Sequence, residues 1–308
     1  VKTVPKAWVH AALVVQTLVS AGTYLAVKQA LESLHWTNVV MLRNGAAALV
    51  YLSLLALTPG PVLPPRPAWK RVLFVATVLV PLNQSLFIGG LSATTPAHGA
   101  LIFALTPLAV LVTSVLAGEE RLTRAKSAGT LLALCGCALV VLDRQGPAAS
   151  GGSWRGDLVV VGAMLSWVAY TVAGRPLVQR HGPLRATGWA FAAGALLIAP
   201  FGVPRVAAAD VTTLPAAAWM AIAFLVVLSS LVASLCWSFG LAHLEPSRVA
   251  VYSNLQPLTT AVLSWLVTGE PMTPRLVAGG LLVVAGVVVA TRIGRGRVSE
   301  AAVESALE

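Results

Sequence analysis

Eleven carboxylates and five histidines are the groups with which this chain of 308 residues could do acid–base or metal chemistry. Their spacing serves neither. His10, His35, His98, His181 and His243 are scattered, and no His-Glu-x-x-His, paired aspartate or Ser–His arrangement occurs in an apolar run. Glu32, Glu119, Glu120, Asp143, Asp157, Asp210, Glu245, Glu270, Glu300, Glu304 and Glu308 are all expected in loops or tails. The chain is therefore read as a non-enzyme without metal or cofactor. What remains are polar and aromatic groups in apolar surroundings: Gln16, Asn44, Asn83, Gln84, Phe103, Trp167, Tyr170, Trp237, Tyr252 and Asn254. Polar groups at membrane depth are costly against lipid and turn toward a protein interior. There they either join helices by hydrogen bonds or bind a small solute, so these ten are the candidate substrate-binding residues.

Composition indicates the helices that would carry these groups. Apolar residues make up 57% of the chain and charged residues 10%, with a mean hydropathy of +0.83. A soluble domain carries about 25% charge, so a polytopic membrane protein is expected, in contact with the lipid bilayer. Ten runs have the roughly 20-residue length of a membrane helix: 7–28, 36–57, 69–90, 96–117, 124–142, 157–178, 185–203, 216–239, 246–267 and 274–292. The first is expected to be a span, since it is long enough to cross a bilayer and has a counterpart later in the chain. With both termini cytoplasmic, fifteen Lys and Arg residues fall inside and five outside, with Arg43 within the second run. That bias accounts for the net charge of +10 without nucleic acid as a partner. Cys135, Cys137 and Cys236 lie in apolar runs and are read as small packing residues.

The chain repeats itself. Residues 91–142 align with 241–292 at a constant shift of 150, and the pairs Pro96/Pro246, Pro107/Pro257, Glu120/Glu270, Thr123/Thr273 and Gly136/Gly286 are identical. A weaker match at a shift of 146 joins Ser20/Ser166, Tyr24/Tyr170 and His35/His181. Two units of five spans each must enter the membrane from opposite sides, an arrangement shared by transporters that alternate access around a midplane site. Pro107 and Pro257 deprive the carbonyls of Phe103 and Ser253 of helical partners, so each is expected to kink its helix, with a hinge as the functional alternative. Glu120 and Glu270 precede the last helix of each unit and are read as capping residues, with gating as the alternative. Gly129/Gly136 and Gly279/Gly286 are spaced for close helix packing or a dimer interface. His98 is the histidine expected to titrate nearest the cavity.

The motif Pro96…Pro107…Glu120-Arg121-Leu122-Thr123…Gly129…Gly136, recurring as Pro246…Pro257…Glu270-Pro271-Met272-Thr273…Gly279…Gly286, closely resembles the EamA domain of the drug/metabolite transporter superfamily, present twice. Arg43 is similar to that family's usual arginine early in the second helix. The resemblance spans residues 7–292. It implies an all-α integral membrane protein with ten transmembrane helices as two inverted five-helix repeats around a central cavity. The first repeat is expected over 7–142, a linking loop over 143–156, the second repeat over 157–292 and a cytoplasmic tail over 293–308. Similar proteins include exporters of amino acids and other small metabolites. The related small multidrug resistance proteins carry an embedded Glu in their first helix, where this chain has Gln16 and Thr17. The expectation is an exporter or exchanger of small neutral or zwitterionic metabolites in the bacterial inner (cytoplasmic) membrane. A proton-coupled antiporter and a non-transporting receptor or scaffold are the alternatives. A monomer suffices for this activity, and a homodimer is compatible with it.

Overall fold

The computed structural model describes residues 5–94, 96–118, 121–141, 153–256, 259 and 274–292. All regular structure among them is helical: α1 (Lys6–Leu31), α2 (Trp36–Leu57), α3 (Arg66–Ala93), α4 (Pro96–Ala104), α5 (Thr106–Leu116), α6 (Arg124–Val141), α7 (Trp154–His181), α8 (Pro183–Ala207), α9 (Ala216–His243), α10 (Pro246–Ala250) and α11 (Pro274–Arg292). Among the described residues α1, α2, α3, α7, α8 and α9 are long and apolar enough to cross a membrane. The helices form because lipid offers the backbone no hydrogen-bond partners, so each long apolar segment must satisfy its own N–H and C=O groups. The ends carry local signals. Gly182, at φ +81°, separates α7 from α8 and is followed by Pro183, so one residue reverses the chain.

The usual distribution of polarity is inverted. Leu57, Leu116 and Phe201 are 82%, 82% and 78% exposed, whereas Gln16, Arg43, Asn44, Asn83, Ser230, Ser238 and Asn254 are buried. Apolar exteriors of this extent are stable against lipid and not against water. Cys135 departs from its expected packing role and is exposed on α6.

Three departures from straight helices position the interior. The run expected to be continuous over 96–117 breaks at Leu105, between α4 and α5. The absent N–H of Pro107 is the cause, and Leu105 N turns instead to Ile102 O at 3.1 Å. After α10 the chain tightens into a 3-10 turn over Val251–Asn254. Helices α3 and α9 each contain a π-helical stretch, Val78–Gln84 and Leu225–Ala233. The first holds Pro81, whose missing N–H is accommodated by the wider winding. In the second, Ser234 Oγ donates to Ser229 O at 3.3 Å and Tyr51 OH donates to Ser230 O at 2.9 Å, so side chains bond to the carbonyls of the π stretch.

Glycines allow the closest helix approaches. A Cβ on Gly136 would lie 2.5 Å from Gly279 O, and one on Gly286 would lie 2.5 Å from Ala133 N and 2.6 Å from Gly129 O. The glycine faces of α6 and α11 therefore pack on each other within one chain. This is the close helix packing expected of these glycines. Gly90 on α3 and Gly156 on α7 make a second such contact, with Val160 Cγ2 and Ala93 O at 2.6 and 2.7 Å from their hypothetical Cβ atoms. Pro257, Glu120 and Glu270, most of the expected linking loop and the expected tail lie outside the described residues.

Candidate functional site

On α1, Gln16, Ser20, Thr23 and Tyr24 fall on one face because their spacing follows the 3.6-residue turn. Helix α2 presents Arg43, α3 presents Asn83, Gln84 and Phe87 at the end of its π stretch, and α4 presents Phe103. From later in the chain, α7 presents Trp167, α9 presents Ser229, Ala233 and Ser234, and the segment after α10 presents Ser253 and Gln256. These residues enclose a cavity of about 80 Å³. That is well below the ~300–1,000 Å³ of drug-sized pockets, so in this conformation the cavity suits a small solute.

Its polar groups form three hydrogen-bonded sets. Arg43 Nε donates to Ser230 Oγ and Nη2 to Ser229 Oγ, both at 2.8 Å, and Thr23 Oγ1 donates to Ser229 Oγ at 3.0 Å. One guanidinium thus joins α2 to the π stretch of α9, and Thr23 brings in α1. Asn83 Nδ2 donates to Ala163 O at 2.8 Å, and Gln84 Nε2 donates to Asn83 Oδ1 at 3.2 Å. Tyr24 OH donates to Gln256 Oε1 at 3.4 Å. The remaining wall is aromatic. Phe87 meets Tyr24 and Phe103 edge-on at centroid distances of 5.3 and 5.4 Å, and Trp167 lies 5.1 Å from both Tyr170 and Trp237.

Of the ten residues expected to bind substrate, Gln16, Asn83, Gln84, Phe103 and Trp167 line this cavity, and Arg43 joins them. Asn44, Tyr170, Trp237, Tyr252 and Asn254 are buried but are not on its wall. Asn44 Nδ2 bonds back to Val40 O within α2, and Tyr170 OH shares a hydrogen bond with Ser238 Oγ, which ties α7 to α9. Tyr252 OH lies 2.5 Å from His10 Nδ1, which brings a different histidine from His98 to an interior tyrosine. His98 belongs to α4 by its backbone. Thr23, Tyr24 and Phe87 line the cavity without belonging to the expected set. Helical spacing carries a signal for them, since Thr23 and Tyr24 are one turn from Ser20 and Phe87 is one turn from Asn83.

Among the described residues, the carboxylates Glu32, Asp157, Asp210 and Glu245 fall outside the cavity wall. Asp157 is in the first turn of α7, rather than in a loop, and accepts a hydrogen bond from Thr94 Oγ1 at 2.5 Å. Glu245, before α10, pairs with buried Lys126 at 2.8 Å and with Arg248 at 3.1 Å. Among the described residues no ion pair reaches Arg43. The arrangement can therefore receive a small molecule that brings hydrogen-bonding groups and an apolar part, and its fixed charge is positive.

Known proteins share both sequence and fold. The transporter YyaM of Bacillus subtilis, itself uncharacterized, is 28% identical over 82% of this chain and 83% of its own length. An uncharacterized transporter of Archaeoglobus fulgidus is 26% identical over 92% and 96%. The "Probable terminal-alkyne amino-acid exporter" of Streptantibioticus cattleyicolor is 26% identical over 94% and 95%. A crystal structure of a protein at 20% identity superposes with a TM-score of 0.68 over 92% of this chain and 99% of the other, which establishes a common fold. The model of the EamA-like transporter family matches residues 7–142 and 154–292. With nearly its whole length covered by two successive matches, and with an apolar exterior around a polar cavity, this chain belongs to the EamA-like transporter family of membrane proteins.

Proposed function

We propose that the protein exports or exchanges small neutral or zwitterionic metabolites, amino acids foremost, by alternating access across the bacterial inner membrane. The observation that carries this reading is the small polar and aromatic cavity, built from both halves of the chain and holding a buried guanidinium. A cation without a counter-charge would meet Arg43 there at a cost of several kcal/mol, which disfavours cationic drugs as substrates. The relative named as an amino-acid exporter supports the same class.

The architecture of this reading is ten spans in two inverted five-helix units, 7–142 and 157–292, with both termini cytoplasmic. The 150-residue repeat supports it. So does the recurrence of π winding, since Val78–Gln84 displaced by 150 residues overlaps Leu225–Ala233. The break at Leu105 and the 3-10 turn at Val251–Asn254 sit in matching spans beside the cavity, where a change of helix direction would reopen it to the other side. A basic cleft of about 760 Å³ between α3 and α7, with Lys70, Arg71, Arg180 and His181 on its wall, supports a cytoplasmic position for that end of the bundle.

Counterflow into proteoliposomes tests the reading. Labelled neutral and aromatic amino acids, a purine and a cationic dye would be offered with and without an imposed pH gradient. Saturable amino-acid exchange that persists without the gradient is the expected result. Gradient-driven movement of the dye alone would replace it with a proton-coupled antiporter, and binding without movement would leave a receptor.

A further inference from the structure

The basic cleft between α3 and α7 is separate from the central cavity, and the two share no lining residue. Lys70, Arg71, Arg180 and His181 stand on its wall, and among the described residues no carboxylate joins them there. Among the described residues, too, no ion pair reaches Lys70, Arg71 or Arg180. A concave space lined by one sign of charge concentrates counter-ions. The preference of cytoplasmic loops for Lys and Arg explains why such residues occur at one end of a bundle. It does not explain why they share a single cleft of about 760 Å³.

The rest of the wall is apolar and runs toward the span. On α3, Phe74 follows Lys70 and Arg71 by one turn on the same stripe, and it is 52% exposed. On α7, Leu177 and Ala173 precede Arg180 on one stripe. At 1.5 Å per residue this apolar floor reaches about 10 Å along α7 from the basic rim. Both basic ends are helix ends, since α3 starts at Arg66 and α7 stops at His181. There the polar surface of a membrane meets its hydrocarbon. A soluble anion would use the rim and leave Phe74 and Leu177 uncovered. A zwitterionic lipid would cover the floor and bring no net charge to the three cations. An anionic phospholipid matches both.

We propose that the cleft between α3 and α7 is a site for one anionic phospholipid, with its phosphate at Lys70, Arg71 and Arg180 and an acyl chain along Phe74, Leu177 and Ala173. His181 completes the rim, its ring held edge-on to Trp189 at a centroid distance of 5.2 Å. Basic pockets between membrane helices recognise anionic head groups in this way.

Native mass spectrometry of the purified protein in neutral detergent tests the site, and the test does not depend on transport. The protein would be titrated with dioleoylphosphatidylglycerol, dioleoylphosphatidylcholine and glycerol 3-phosphate. The first phosphatidylglycerol is expected to bind at least about tenfold more tightly than phosphatidylcholine, since three cations act on its charge. Glycerol 3-phosphate is expected not to bind at concentrations that saturate the lipid. Lys70→Gln, Arg71→Gln and Arg180→Gln are each expected to weaken the phosphatidylglycerol adduct about fivefold, the contribution of one cation near a membrane surface. Arg121→Gln, which removes a cation outside the cleft, is expected to leave it unchanged. Equal binding of the two lipids would overturn the proposal. Binding of glycerol 3-phosphate as tightly as the lipid would overturn it too, leaving a site for a soluble anion. An equal loss in Arg121→Gln would reduce the effect to overall charge and also overturn it. If a cleft variant fails to fold, the wild-type series still decides.

Discussion

Trp167 is the half-buried member of an otherwise buried aromatic trio, with Tyr170 and Trp237 behind it and the cavity in front. Its ring is held by neighbours that do not themselves reach the cavity, so its contact surface is rigid. Removing it takes away apolar surface that a substrate side chain would cover, at roughly 25 cal/mol per Å². Trp167→Ala is expected to raise the KM for an amino-acid substrate about tenfold while the protein still elutes as a folded species, and Trp167→Phe is expected to recover most of that loss. An unchanged KM in the alanine variant would move the substrate away from α7. At the same scale Asn254 is a lesson in burial. It sits deep and polar, as expected of a ligand-binding residue, yet it is absent from the cavity wall.

At the level of the element, the π stretches of α3 and α9 decide which side chains meet. A π turn widens the helix and rotates the residues beyond it about the helix axis. Here it brings Asn83 and Gln84 on one helix and Ser229 and Ser230 on the other into the interior network. Tyr51, two turns beyond Arg43 on the same face of α2, donates to Ser230 O at 2.9 Å. Tyr51→Phe removes that hydrogen bond, a loss of about 0.5–1.5 kcal/mol. The variant is expected to unfold at a lower temperature in detergent with its substrate KM unaltered, because Tyr51 is outside the cavity. A changed KM with unchanged stability would show that the π stretch is held by something else.

Across the whole molecule, the two terminal helices of the halves, α6 and α11, form one seam whose separation is set by glycine. Backbone atoms already stand 2.5 Å from where a Cβ at Gly136 or Gly286 would be. Backbone cannot swing aside as a side chain can, so Gly136→Leu must push the helices apart. Overpacking costs about 1–3 kcal/mol in cores that can relax, and this seam should reach the upper end of that range. Folded yield is expected to collapse for Gly136→Leu and to hold for Leu131→Ala, which is 55% exposed on the same helix. Equal yields would mean that the seam opens in the membrane. Buried Lys126 and half-exposed Glu245 add an ion pair between α6 and the turn before α10, linking early and late parts of the chain.

Much of this was legible from residue order alone, for a physical reason. Lipid demands long apolar helices, and such helices announce themselves in composition, as the agreement of the expected 36–57 with α2 (Trp36–Leu57) shows. Pro107 has no N–H in any environment, so a break in its helix followed directly. The glycine spacing of 129, 136, 279 and 286 foretold close packing. It did not say that the partner was the other half of the same chain, because a small-residue face is complementary to any similar face. The cavity membership was only half legible. Depth and polarity describe Asn83 and Asn254 equally, and what separates them is the rotation of each helix about its axis. That rotation is set by π winding and by contacts between residues more than a hundred positions apart, such as Arg43 with Ser230. The positive charge of the site was written in the sequence as a single arginine. That two of its nitrogens fasten α2 to α9 while the third has no partner among the described residues was decided by the packing around it.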